Sequence, residues 1–270
     1  MQPYGNLISE HGKSKFYISI FVIPAVAFAG AGIFLLSLIP AIHAHKINFH
    51  GDTSILYGAG FGGILIAAAA LLAGYLLLRS QPTFYLYEKA IRVVGKNIDR
   101  IDLYEDIEDL FIYDHSRVLQ FCYRSSSHTP WIFADGRTHR YSFLKDEFLD
   151  LHTAHRGEKL FQAIQEGKTA IFHCLPDQVS WSKSWIVSSR NMDYPMYDIE
   201  LNRNDLRIQD KTIPVKRIGD VKTNSWIERS QIVDVDGNVF HKTHSTAIIS
   251  FNVLQKLLAR IQKENQNASR

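Results

Sequence analysis

Two apolar runs, residues 16–42 and 54–78, decide the solvent of this chain before they decide its fold. Neither contains Asp, Glu, Lys, Arg or His. A bilayer core about 30 Å thick is crossed by about 20 apolar helical residues, so each run is long enough to span it. The apolar stretch of a secretory signal peptide is shorter, about 7–15 residues, and a second run here follows almost at once. Two buried helices of a soluble core are the competing reading. Uncharged helices of this length are uncommon in soluble cores, so the sequence predicts a two-span hairpin over residues 16–79.

Flanking charge sets the orientation. Lys13 and Lys15 precede the first run, and Arg79, Lys89, Arg92, Lys96 and Arg100 follow the second, whereas the intervening loop holds only Lys46. The excess of positive residues on the cytoplasmic side predicts both termini inside, with residues 1–15 as a cytoplasmic tail. Cys122 and Cys174 then lie in a reducing space. They form no CxxC pair, so neither a zinc site nor a disulfide framework is expected. The formal net charge of +3 over 270 residues is too small to predict nucleic-acid binding.

Small residues predict how the hairpin packs. Gly58 and Gly62 form a GxxxG pair, Ala70 and Gly74 repeat the spacing, and Ala25 with Ala29 offers a matching face; such residues let helix backbones approach closely in lipid. Pro24 is placed to kink the first helix and Pro40 to mark its exit. With no ionisable side chain in either run, the pair reads as an anchor and not an ion path. Homo-oligomers remain open. His43, His45 and His50 in the loop have the chemistry of a metal site, but interfacial histidines at helix ends are the simpler reading.

Beyond Thr83 the pattern becomes β-rich. Residues 84–87, 91–94, 98–103, 107–113, 118–123, 131–133 and 139–143 are predicted strands, with Asp135-Gly136 as a hairpin turn between the last two. Residues 144–166 then carry helical spacing up to Gly167. A second, shorter pass has strands at 197–201, 206–208, 213–215, 221–229, 232–235, 239–241 and 246–250. Asp236-Gly237-Asn238 is its turn, and the amphipathic helix 251–263 closes it. Residues 168–196 read as a connector and 265–270 as a disordered tail. Ala90-Ile91-Arg92 aligns with Asp205-Leu206-Arg207, and the stretch from Asp106 to Leu110 aligns with that from Arg217 to Val221, which suggests an internal repeat.

Phe84-Tyr85-Leu86-Tyr87, Ile91-Arg92-Val93, then Ile101-Asp102-Leu103 and Ile107, together resemble the start of bacterial pleckstrin-homology-like domains. Ile213-Pro214-Val215-Lys216-Arg217-Ile218 carries their Ile-Pro-Val phrase more faithfully. The resemblance covers residues 83–167 and 197–264. It implies an α+β chain: a transmembrane hairpin followed by two barrel or sandwich units, each closed by a C-terminal helix and held at a bacterial inner membrane.

Chemistry is harder to find. His152 and His155 stand at i, i+3 without the glutamate and i, i+4 spacing of a zincin, and read as surface histidines; His241 and His244 flank a strand end. Asp102, Glu105, Asp106, Glu108 and Asp109 read as a charged edge that discourages strand pairing. The glycines of residues 58–63 lie inside an apolar run and so serve packing. No catalytic, cofactor or metal residue is assigned. Arg79, Lys89, Arg92, Lys96 and Arg100 are membrane-proximal cations, read as ordinary topology signals with anionic headgroups as the alternative. Trp181 and Trp185 fit either an interfacial helix or a clasp between the units. The expected function is a non-enzymatic, membrane-tethered module with the lipid bilayer and an unidentified protein as partners. The alternatives are an immunity or accessory protein of a secreted bacterial toxin, and an enzyme acting on lipid.

Overall fold

The computed structural model describes residues 3–79, 81–115, 118–176, 194–224, 229–244 and 246–268. Helices α1 (Lys15–His43) and α2 (Thr53–Arg79) form an antiparallel hairpin. At 1.5 Å per residue each is about 40 Å long, and both are long and apolar enough to cross a membrane. Phe16, Ile23, Val26 and Leu65 are each about two-thirds exposed. These helices therefore do not serve as the core of the soluble body. Pro40 lies within the last turn of α1, and Ala44 N–H donates to its carbonyl at 3.0 Å.

Within the tail expected at residues 1–15, a strand forms. Leu7–His11 forms β1, which pairs antiparallel with β2 (Thr83–Tyr87), so that Leu7 faces Tyr87 and His11 faces Phe84. The hairpin is thus inserted between two neighbouring strands of one sheet. Local sequence could not reveal β1, because five residues without a marked alternation find their partner only after the whole hairpin. Strands β3 (Ala90–Gly95) and β4 (Ile98–Leu103) complete the four-stranded sheet in the order β1-β2-β3-β4.

A 3₁₀ turn, Tyr104–Asp106, leads to a second sheet, β5 (Asp109–His115), β6 (Val118–Arg124) and β7 (Ile132–Asp135). Helix α3 (Tyr141–Gln165) follows and ends at Gly167, whose φ of +84° lets Gly167 N–H and Lys168 N–H turn back to the carbonyls of Ile164 and Ala163. The strand expected over 139–143 does not form. Arg140 takes a left-handed φ of 52° and Tyr141 begins the helix, which buries Tyr141, Leu144 and Phe148 along one face. The core between the sheets is aromatic: Phe84, Tyr104, Phe121, Tyr123 and Phe148, with Phe121 stacked on Phe148 at 5.1 Å.

The second unit has the same order of elements. β8 (Ala170–Cys174) pairs with β9 (Tyr197–Leu201), followed by β10 (Asp205–Ile208) and β11 (Lys211–Pro214), in the sheet order β11-β10-β9-β8. The turn Val215–Arg217 leads to β12 (Ile218–Asn224), β13 (Arg229–Asp234) and β14 (Val239–His244), and α4 (Phe251–Ala268) closes the unit. β8 falls within the expected connector, and it makes the second unit as complete as the first. At 246–250 only Ile248 bridges, to Cys174. The helix runs through the expected tail to Ala268. All four sheets are antiparallel and open, and no closed barrel forms among the described residues.

The units share a core. On β5, Leu110 faces the first core, while Phe111 and Tyr113 face the opposite way and join Cys122, Phe161 and Ile164 against the aliphatic interior of the second unit. Strands buried on both faces read as continuous apolar runs, as residues 110–113 do. Ser250 fastens the joint: its N–H donates to Leu110 O at 2.7 Å, and its Oγ accepts from Leu110 N–H at 3.0 Å and donates to Glu108 O at 3.1 Å.

Candidate functional site

The place where the hairpin enters the body is built from three segments. After β1 the chain bonds to the loop ahead of α3: Ser14 N–H donates to Arg137 O at 3.0 Å, His139 N–H donates to Gly12 O at 2.7 Å, and Lys13 bridges Thr138. β1 is also held from α3, where Ser9 Oγ donates to Glu147 at 2.5 Å, while His11 Nδ1–H donates to His139 O at 3.0 Å. The two legs of the hairpin therefore join adjacent strands of one sheet, and the first is held to the loop ahead of α3 as well.

This base sorts the five basic residues expected near the membrane. Arg79 ends α2 and is exposed there, and Lys96 sits in the β3–β4 turn beside Pro82. Lys89 lies at the opposite end of β2, about 17 Å of strand away. Arg92 pairs with Asp99 through two bonds of 2.9 and 2.8 Å, and Arg100 pairs with Asp102 at 2.7 Å. The structure brings to the base two cations that the sequence reading did not include in its site, Lys13 and Arg140; Arg137 is there too but bound to Asp135. Their signal was the β1 strand, which only long-range pairing exposes.

The expected packing glycines are also re-sorted. A Cβ at Gly58 or Gly62 would meet nothing within 4 Å, so this GxxxG pair faces away from α1. The close contact is between Gly32 and Gly60: a Cβ on Gly32 would lie 2.5 Å from Gly60 O. Ala67 and Gly74 continue this face, whereas Ala70 is only half-buried. Helical registers differing by two residues are about 200° apart on the helix, which is why a correct motif pointed to the wrong side.

The histidines of α3 are structural clamps. His152 is fully buried, and its Nε2–H donates to Ile107 O at 3.1 Å, leaving Nδ1 without a partner among the described residues. His155 Nε2–H donates to Glu88 O at 2.9 Å. The second unit makes the same two attachments with amides: Gln262 donates to Ile218 O at 2.5 Å and Asn265 to Arg203 O at 3.5 Å. Burial pushes the His152 pKa down to about 4, with Arg156 adding to the effect, so it serves as a neutral donor at pH 7. The expectation of surface histidines fails for His152, which follows Leu144 and Phe148 at helical spacing on the buried stripe. His152 also lines a cavity of about 270 Å³ between the units.

Elsewhere, His241 bonds Tyr197 at 3.3 Å and His244 bonds Thr246 at 3.0 Å. The acidic stretch is dispersed onto separate partners, with Asp109 on Arg124 and Asp106 on Lys159, each at 2.5 Å. No group of three or more metal-ligating side chains occurs among the described residues. Trp181 and Trp185 lie outside the described residues. No protein-family model matches this chain, and no curated protein matches it in sequence.

Proposed function

We propose that this chain is a non-enzymatic binding module mounted on a bacterial inner membrane, with both termini in the cytoplasm and two pleckstrin-homology-like units presenting a surface to a protein partner. The observation that carries the reading is the pairing of β1 with β2 across the hairpin. It requires both legs to return to one side of any bilayer they cross, and it ties the hairpin to the body through a strand of the body's own sheet. The order of four strands, three strands and a helix, found twice, is the observation that favours a pleckstrin-homology-like reading. Lys13 and Arg79 at the base against Lys46 in the opposite loop favour a cytoplasmic body.

Two measurements test this. A reporter fused to the C-terminus is expected to read cytoplasmic, and a periplasmic signal would overturn the orientation. Crosslinking in native membranes, then purification of the full chain in mild detergent, is expected to recover one stoichiometric protein partner or a self-assembly. A chain recovered monomeric and alone would overturn the binding-module reading.

A further inference from the structure

The base of the hairpin holds a cleft of about 440 Å³ between the first turns of α1 and the last turns of α2. Its walls are apolar, with Ile18 and Phe21 on one side and Leu71 and Tyr75 on the other, and Lys13 and Arg79 stand at its mouth. Gly74 makes the floor: a Cβ there would come within 2.6 Å of the Phe21 ring, so only glycine lets that ring close against α2. Arg79 is held over the Tyr75 ring, its guanidinium carbon 5.8 Å from the centroid. Neither Lys13 nor Arg79 has a carboxylate partner among the described residues, whereas Arg137 nearby is bound by Asp135.

We infer that this cleft binds one anionic phospholipid, an inference that rests on the membrane reading above. The apolar walls take an acyl chain, and the two cations take the headgroup phosphate. Charge complementarity selects the ligand. A zwitterionic headgroup brings its own cation to a mouth that already carries two, while an anionic one does not. The site differs from general attraction of the body to the membrane in its place: the Lys13 backbone bridges Thr138 and the Arg79 guanidinium lies over Tyr75, which puts both cations beside one apolar cleft.

The test uses the full chain purified in mild detergent from membranes and exposed to an equal mixture of phosphatidylglycerol and phosphatidylcholine. Native mass spectrometry reads which lipid stays bound. One phosphatidylglycerol is expected to be retained in preference. The double variant Lys13→Ala/Arg79→Ala is expected to lose that preference by roughly 25-fold, about fivefold per cation. Lys89→Ala removes the same kind of charge at the far end of the sheet and is expected to leave the preference intact, while Lys13→Arg/Arg79→Lys is expected to keep it. Equal retention of the two lipids, or an equal loss in Lys89→Ala, would overturn the site. Release of the wild-type chain from membranes by alkaline carbonate would overturn the membrane reading itself, which keeps the two failures apart.

Discussion

The two units repeat each other down to single hydrogen bonds, yet they differ in what interrupts them. In both, a residue just beyond the first strand donates to the loop ahead of the closing helix: Ser14 to Arg137 O, Leu175 to Ala247 O. His139 returns to Gly12 O as Ile249 returns to His173 O, and the helices start from left-handed residues, Arg140 with φ 52° and Ser250 with φ 55°. Between first and second strand, however, the first unit carries the apolar hairpin, and the second carries the stretch between β8 and β9. The cores differ as well. The first is aromatic and self-contained, while the second is aliphatic and takes Phe111, Tyr113 and Cys122 from its neighbour. The frame is the same in both units, and the differences lie where each meets its surroundings, the first at the apolar hairpin and the second at its neighbour.

The sharpest way to break this comparison is to remove what the second unit takes from the first. Phe111→Ala is expected to cost about 3–5 kcal/mol. Hydrogen exchange should show lost protection in β9 to β14, with β2, β3 and α3 still protected; uniform loss would mean that the cores are not separable in this way.

The clamps come next. Unfolded histidine takes its proton near pH 6.5 and His152 in the folded chain near pH 4. Between these values the unfolded state binds more protons, so the stability tied to a neutral His152 is complete above pH 6.5 and is lost as pH falls towards 4. At about 1.4 kcal/mol per unit, the loss reaches about 3 kcal/mol. His152→Gln, the second unit's own solution, should hold the bond to Ile107 while flattening this part of the Tm-against-pH curve. An unchanged slope would remove His152 from the account.

The hairpin offers a third contrast. Gly32→Val is expected to destabilise the helix pair by about 1–3 kcal/mol through overpacking, read as a lower Tm of the full chain in detergent, and Gly58→Val should leave the helix pair intact. The smallest effects separate the two helix starts. Arg140→Gly should stabilise by about 1 kcal/mol, because it relieves a left-handed side-chain residue. Ser250→Gly relieves the same strain but breaks two hydrogen bonds to β5 and its approach, so denaturant titration should show a net loss of about 1 kcal/mol.

Much of this frame was legible. The hairpin and the two helices announce themselves by period, and Asp236-Gly237 marks a real turn, with Gly237 at φ +84° and Asp234 accepting from the N–H groups of Asp236 and Asn238. The same dipeptide at Asp135-Gly136 misled, because the chain after it crosses to Gly12 and Lys13 without returning alongside β7. The strands β1 and β8 were missed for one reason. Each finds its partner only after a long insertion, and nothing within five residues records that. The site at the base depends on β1, so it was hidden with it.

The pairing of β1 with β2 gives biosynthesis a built-in check. Leu7–His11 is made before Thr83–Tyr87 and cannot pair until that strand follows, after both apolar helices have been made. If the two helices cross a bilayer, a chain that threads only one of them leaves these two segments on opposite sides. Its first sheet then lacks the outermost strand, and β2 is left as an edge with unpaired backbone groups.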